Sequence, residues 1–224
     1  MSDDHPLLRS FGRIRSRPIK PRQAALMTDL LPRLTLPTGP LDPAFLAPSA
    51  AEVWLEIGFG GGEHLAGQAA RHPDVTLIGA EPFLNGAASA LRHIDEAGLS
   101  NVRLHVGDAR DIVDALPVAS LDRVFILFPD PWPKLRHHKR RLIQPGFVAD
   151  LARVLAPEGR LRFATDWADY ADWALERLIG CPALDWTAQG PDQWRTPPAD
   201  HVTTRYQEKR LGDIAPVYLD FIRL

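Results

Sequence analysis

Glu52-Val53-Trp54-Leu55-Glu56-Ile57 runs without a break into Gly58-Phe59-Gly60-Gly61-Gly62. The first six residues are rich in aliphatic and aromatic side chains and read as a buried strand. The glycines let the backbone turn sharply and approach a ligand closely, and a helix starts near Glu63. Downstream the chain keeps alternating. Residues 75–80 form a second strand that ends at Glu81. Phe83, Ala87, Ala90, Leu91 and Ile94 follow at helical spacing, and Gly98 stops that helix. Strands at 102–106, 121–128 and 160–164 come next. A helix lies between Pro145 and Pro157, another spans 168–179, and short strands are expected at 184–186 and 217–224. Residues 188–201 read as a Pro- and Gly-bearing loop. Strands regularly separated by helices predict an α/β fold: a mostly parallel, seven-stranded sheet with helices on both faces.

At 224 residues, with 45% hydrophobic and 24% charged side chains, the chain suits one such domain with extensions. Residues 1–22 read as a basic arm carrying Arg9, Arg13, Arg15, Arg17, Lys20 and Arg22. Residues 23–50 read as a short helix followed by a proline-rich linker, and 51–224 as the domain proper. The single cysteine, Cys181, excludes an intramolecular disulfide and any multi-cysteine metal site, and no metal is expected. No apolar segment approaches a membrane span and the N-terminus lacks a signal-peptide core, so a cytoplasmic protein with no membrane partner is expected. The net charge of −2 announces no polyanion partner, but its distribution does: Lys and Arg cluster at 9–22, 134–141 and 205–210.

The middle cluster follows a stretch of unusual chemistry, Phe128-Pro129-Asp130-Pro131-Trp132-Pro133. Three alternating prolines end the strand and stiffen the chain, because proline cannot donate to a sheet ladder. Lys134, Arg136, His137, His138, Lys139, Arg140 and Arg141 come next, with no acid among residues 134–141. A charge run alone is usually a solvated loop. Beside a rigid acidic-aromatic turn at a strand end, it reads as a polyanion-binding edge next to an active site. The paired histidines fit phosphate contact better than metal binding. His64 and His72, flanking the first helix of the domain, read as surface residues.

Acids end successive strands: Glu56 before the glycine loop, Glu81 after the second strand, Asp108 after the third. Glu81 stands 21 residues beyond Gly60, where a carboxylate can accept the hydroxyls of an adenosine ribose. That suits a nicotinamide dinucleotide and S-adenosylmethionine (SAM) alike. The dinucleotide fingerprint needs a further glycine three positions after Gly60, and Glu63 stands there. Glu56, just before Gly58 and Gly60, suits a cationic ligand such as SAM.

Together these blocks resemble the tRNA (guanine-N7-)-methyltransferases, a family of Rossmann-like class I SAM-dependent enzymes. The resemblance covers nearly the whole chain. It rests on Arg9-Ser-Phe-Gly-Arg13, Glu56-Ile-Gly-Phe-Gly60, Gly98-Leu-Ser-Asn-Val102, Phe128 to Lys134 with Arg136 to Arg141, Thr165-Asp166-Trp167, and Thr204-Arg205-Tyr206. One departure is Gln207, where the family carries glutamate; Glu208 follows it. The resemblance implies that Glu56, Glu81, Asp108 and Asp130 contact SAM or sit beside its methyl group. It implies that Lys134, Asp166 and Thr204 to Gln207 contact the RNA substrate, and that Arg136 to Arg141 lie on the tRNA. The implied product is 7-methylguanosine in the tRNA variable loop. Asp130 is the expected catalytic group, with Asp166 as its partner on the guanine edge and Trp132 as either a stacking wall or a buried hinge aromatic. Other readings of the residues are methylation of another RNA or an amino group, a catalytically idle RNA-binding protein, and a nicotinamide dehydrogenase. Monomer and homodimer are both compatible with the sequence.

Overall fold

The computed structural model describes residues 18–42 and 52–224. The Arg9–Arg13 motif and most of the expected basic arm and linker lie outside the described residues. Seven strands form one sheet: β1 (Glu52–Ile57), β2 (Val75–Ala80), β3 (Val102–His105), β4 (Leu121–Leu127), β5 (Leu155–Thr165), β6 (Leu184–Trp186) and β7 (Val217–Arg223). Their spatial order is β3-β2-β1-β4-β5-β7-β6, with β7 antiparallel to both β5 and β6 and the other pairs parallel. The expected mostly parallel α/β sheet is therefore present.

β1 is buried on both faces after Glu52, which is what strands covered by helices on each side require. Val53, Leu55 and Ile57 point into one apolar layer with α5 (Ala109–Ala115), α6 (Pro145–Val154) and α7 (Ala168–Ile179). Trp54 points into the other, shared with α3 (Glu63–Arg71) and α4 (Leu84–Glu96). α3 opens at Gly62, whose φ of 82° is left-handed, and a Cβ there would overlap Ala90 on α4. Glycine thus permits both the turn and the close approach of the two helices.

Several details differ from the sequence reading. The first helix, α1 (Pro21–Asp29), begins inside the expected basic arm, because Pro21 is preorganised for a first helical turn. It lies on α4, with Arg22 paired to Asp95 and Glu96, and α2 (Leu31–Leu34) continues it. α5 was not anticipated; Asp108 caps it by accepting from the Arg110 N–H at 3.0 Å. The cationic run is not a loop but a 3-10 helix, Leu135–Arg140. Two single-turn helices, α8 (Asp192–Arg195) and α9 (Arg205–Glu208), interrupt the C-terminal loops. Among the described residues no helix is long and apolar enough to cross a membrane.

Candidate active site

The order β2-β1-β4 makes the chain leave β1 on both sides, so a crevice opens at the carboxyl ends of β1 and β4. A cleft of about 790 Å³ occupies it. Glu56, Gly58, Gly60, Glu81, Asp108, Asp130 and Arg140 all line that cleft, as do Thr204, Arg205 and Tyr206. Residues up to 150 positions apart in sequence are thereby brought to one concavity.

The floor is the glycine loop. Gly58 and Gly60 have φ of 74° and 52°. The Gly60 N–H donates to Glu81 Oε2 at 2.8 Å, and the Phe83 N–H donates to Glu81 Oε1 at 2.9 Å. Glu81 therefore fixes the loop from below. Its burial pushes its carboxyl above the ordinary glutamate range; the two backbone N–H bonds pull the other way without cancelling it, while Asp130 and Glu56 add to the rise. Asp108 behaves oppositely. Burial opposes its charge, but Arg110 outweighs that through its Nε and Nη2 bonds at 2.9 and 2.6 Å, its backbone N–H and its charge, and the carboxyl is held below the usual range.

The wall is the proline corner. Phe128 and Trp132, both left-handed with φ of 53° and 44°, bracket Pro129-Asp130-Pro131. Bulky residues in that region carry strain that the surroundings must hold. Asp130 keeps an exposed side chain, yet the concave walls remove enough of its water to push its carboxyl upward. Trp132 lies under the Arg140 guanidinium, 5.0 Å from its ring centroid, and meets His137 edge-on.

The roof is α9. Tyr206 stacks on Phe128 with ring centroids 5.5 Å apart, and its hydroxyl donates to Asp166 Oδ1 at 3.2 Å. Asp166 is buried and accepts the Gly212 N–H on its other oxygen at 3.0 Å. It holds the C-terminal segment and does not line the cleft, so the expected pairing of Asp166 with Asp130 on a guanine edge gives way to a supporting role. Gln207 completes a capping box with Thr204 and donates to the Tyr218 hydroxyl at 3.1 Å. An amide can accept from one neighbour and donate to the other, which a glutamate carboxylate cannot. Its side chain is thus committed to the start of α9 and to Tyr218 on β7. Arg205 pairs with Glu63 at 3.1 Å.

The cationic run divides. Lys134, just before the 3-10 helix, and Arg136 and Lys139 on it are exposed, outside the cleft. His138 Nε2 lies 3.3 Å from Asp169 Oδ2 without a hydrogen bond, and its ring packs edge-on against Trp173. Arg141 is only 2% exposed, which corrects the expectation that it lies on the tRNA. Its Nε donates to the Pro131 carbonyl at 2.9 Å, its terminal nitrogen bonds Asp169, and its guanidinium covers Tyr170 and Trp173. Arg141 is the brace of the proline corner. His64 is a second correction. It is 1% exposed rather than on the surface, with Nδ1 2.8 Å from Glu56 Oε2. Its neighbours on α3, Leu65 and Gln68, are buried with it.

Comparison with known proteins adds the chemistry. The family model described as "Putative methyltransferase" matches residues 50–217. A tRNA (guanine-N(7)-)-methyltransferase of a Caulobacter species is 63% identical over 98% of this chain and 97% of its own. Its counterpart in Caulobacter vibrioides is 64% identical over 98% and 96%. Among solved structures, the 16S rRNA (adenine(1408)-N(1))-methyltransferase of Catenulisporales acidiphilia shares the fold at 16% identity and a TM-score of 0.55, over 85% of this chain and 97% of that one. A mutant of that enzyme, solved with its cosubstrate SAM, aligns at 17% identity with a TM-score of 0.52 over 82% and 92%.

Proposed function

This chain belongs to the tRNA (guanine-N(7)-)-methyltransferase family, and we propose that it transfers the methyl group of SAM to N7 of a guanine in the tRNA variable loop. The observation that carries the reading is the gathering of Glu56, Glu81, Asp108 and Asp130 on one cleft at the switch point of the sheet. Four carboxylates in a confined space suit a ligand with cationic and hydroxyl groups, as SAM has. Each Glu81 oxygen uses one lone pair on a backbone N–H and keeps another for a ribose hydroxyl. Asp108 stands toward the adenine, and Glu56 toward the amino group or sulfonium. Asp130 sits beside the methyl group.

Guanine N7 carries an in-plane lone pair, so no base must first remove a proton. The lone pair forms the N–CH₃ bond as the C–S bond breaks, and that bond's electrons return to sulfur. Positive charge moves from sulfur to the purine. Catalysis then rests on alignment and on a field that tolerates the cationic product. Asp130 supplies that field from its place beside the methyl group. Tyr206 and Trp132 provide aromatic walls, while Lys134, Arg136 and Lys139 take the phosphates. A cytoplasmic setting follows from the substrate.

Borohydride–aniline cleavage of tRNA after incubation with SAM maps 7-methylguanosine directly. Cleavage at a variable-loop guanine is expected, and cleavage nowhere overturns the reading. Asp130→Asn should lower the rate about 100-fold, the scale of one preorganised electrostatic contact, while SAM binding stays within severalfold. Intact turnover in that variant removes Asp130 from the chemistry.

A further inference from the structure

Glu56 reaches the cleft with a buried partner behind it. Glu56 is 3% exposed and His64, on the first turn of α3, is 1% exposed. One turn further along α3, Gln68 Nε2 lies 3.1 Å from His64 Nε2 and 2.8 Å from the Asp200 carbonyl oxygen. That carbonyl fixes the amide. Turned over, Gln68 would set its own oxygen against another oxygen, so Nε2 must face Asp200. The same NH₂ group then presents its second hydrogen to His64 Nε2, which can only accept. The imidazole proton is left on Nδ1, pointing at Glu56 Oε2 2.8 Å away. Asp200 is itself anchored by Arg123 and Arg162, each at 2.6 Å, so the relay ends on a fixed point.

We propose that His64 and Gln68 are positioning residues that hold Glu56 oriented for the cationic end of SAM; this rests on the cofactor reading of Glu56 given above. An imidazolium at position 64 would cancel the Glu56 charge before the ligand arrived. An apolar neighbour would leave a buried carboxylate oxygen without a hydrogen-bond partner, which is costly. A neutral imidazole avoids both: it satisfies one oxygen and leaves the negative charge for the ligand. Gln68 enforces that state by occupying the nitrogen where a second proton would go. Edge-on contact of His64 with Phe125, ring centroids 4.8 Å apart, fixes the ring plane from the sheet side.

Nitrogen-15 NMR of histidine-labelled protein at pH 7 reads the tautomer in the unaltered chain. A neutral, Nδ1-protonated His64 is expected, and an Nε2-protonated or doubly protonated ring overturns the proposal. Calorimetric SAM binding tests the consequence. His64→Leu should raise the SAM Kd about tenfold, the scale of one hydrogen bond to a charged group. His64→Asn, which can still donate in the Nδ1 direction, should stay within about threefold, and tRNA affinity should hold in both. Glu56→Gln is the reference. If it weakens SAM binding while His64→Leu does not, the positioning role is overturned and the cofactor reading stands. If Glu56→Gln binds SAM as the unaltered chain does, the cofactor reading itself is overturned, and the proposal with it. Should His64→Leu fail to fold, the NMR result still decides.

Discussion

Asp130 shows how function works against stability at a single residue. Its carboxyl is pushed above the usual range by loss of water. An acid whose folded pKa exceeds its unfolded value, near 3.9, costs stability when ionised. That cost is fully present above the folded pKa and vanishes below the unfolded one. Asp130→Asn should therefore melt higher than the unaltered protein at pH 7.5, and the difference should close as pH falls toward 4; a lower melting temperature at pH 7.5 would contradict it. A variant that loses turnover while gaining stability marks a residue kept for its charge. Asp130 was legible in the sequence because prolines on both sides isolate it at a strand end. Glu56, Glu81 and Asp108 were legible for the related reason that each follows or closes a strand. His64 was not, since a polar residue at the start of a helix looks solvated until its neighbours in space are known. Arg141 reads like the four cations before it, and only Asp169, 28 residues on, reveals that it is buried.

At the level of elements, the 3-10 helix and α9, which the proposed reading sets on the substrate side, are each held by long-range polar contacts. The 3-10 helix has exposed cations on one side and the Arg141 brace at its end. These should separate by kinetics. Arg141→Met should loosen the Pro131 corner and lower kcat by about 10- to 100-fold, the range expected of a small misalignment, with tRNA affinity within about twofold. Arg136→Ala should do the reverse, raising the tRNA Kd with kcat nearly unchanged. Equal effects of both on kcat would refute the division. The loop leading to α9 is anchored at Asp200. Burial opposes its charge, yet hydrogen bonds and charge from Arg162 and Arg123 bring its pKa down to about 2. The same two guanidiniums respond differently: burial and Arg162 pull Arg123 down, while Arg162, bonded also to Asp220, is raised despite burial. A lowered carboxyl adds stability above the unfolded pKa and loses it as pH falls toward 2. Asp200→Asn should cost about 2 kcal/mol at pH 7, reduced from the buried-pair value because the carboxylate is partly exposed. Chemical denaturation at pH 7 and pH 3 checks this: the deficit should shrink at the lower pH. α9 is a single turn with no apolar stripe; the Thr204-x-x-Gln207 spacing marks its start, and its place depends on Phe128, Asp166 and Tyr218.

For the whole molecule, a net charge of −2 must coexist with a polyanionic substrate. The solution is separation. Carboxylates converge on the cleft, and exposed cations lie along residues 134–139; on the reading proposed above the acids face SAM and the cations face phosphates. The sheet makes this possible by sending strand-end acids to one crevice, a consequence of alternation that the strand pattern at 52–57, 75–80 and 121–128 already implied. Which cations reach the rim depends on packing and was not implied. Salt should then act on the two ligands unequally. Lys134, Arg136 and Lys139, each neutralising about one phosphate, predict a slope of log K against log salt of about −2 to −3. A fourfold rise, from 50 to 200 mM, should weaken tRNA binding by about 16- to 64-fold. SAM, held inside the cleft by short-range contacts, should change by less than about twofold over the same range. A chain beginning at residue 18, without Arg9, Arg13, Arg15 and Arg17, tests whether the basic N-terminal segment shares the load. If it does, the full chain has the steeper slope; if the slopes coincide, the rim alone holds the tRNA. Filter binding across a salt titration, with SAM calorimetry in the same buffers, measures both, and equal salt sensitivity for the two ligands would refute the separation of charge.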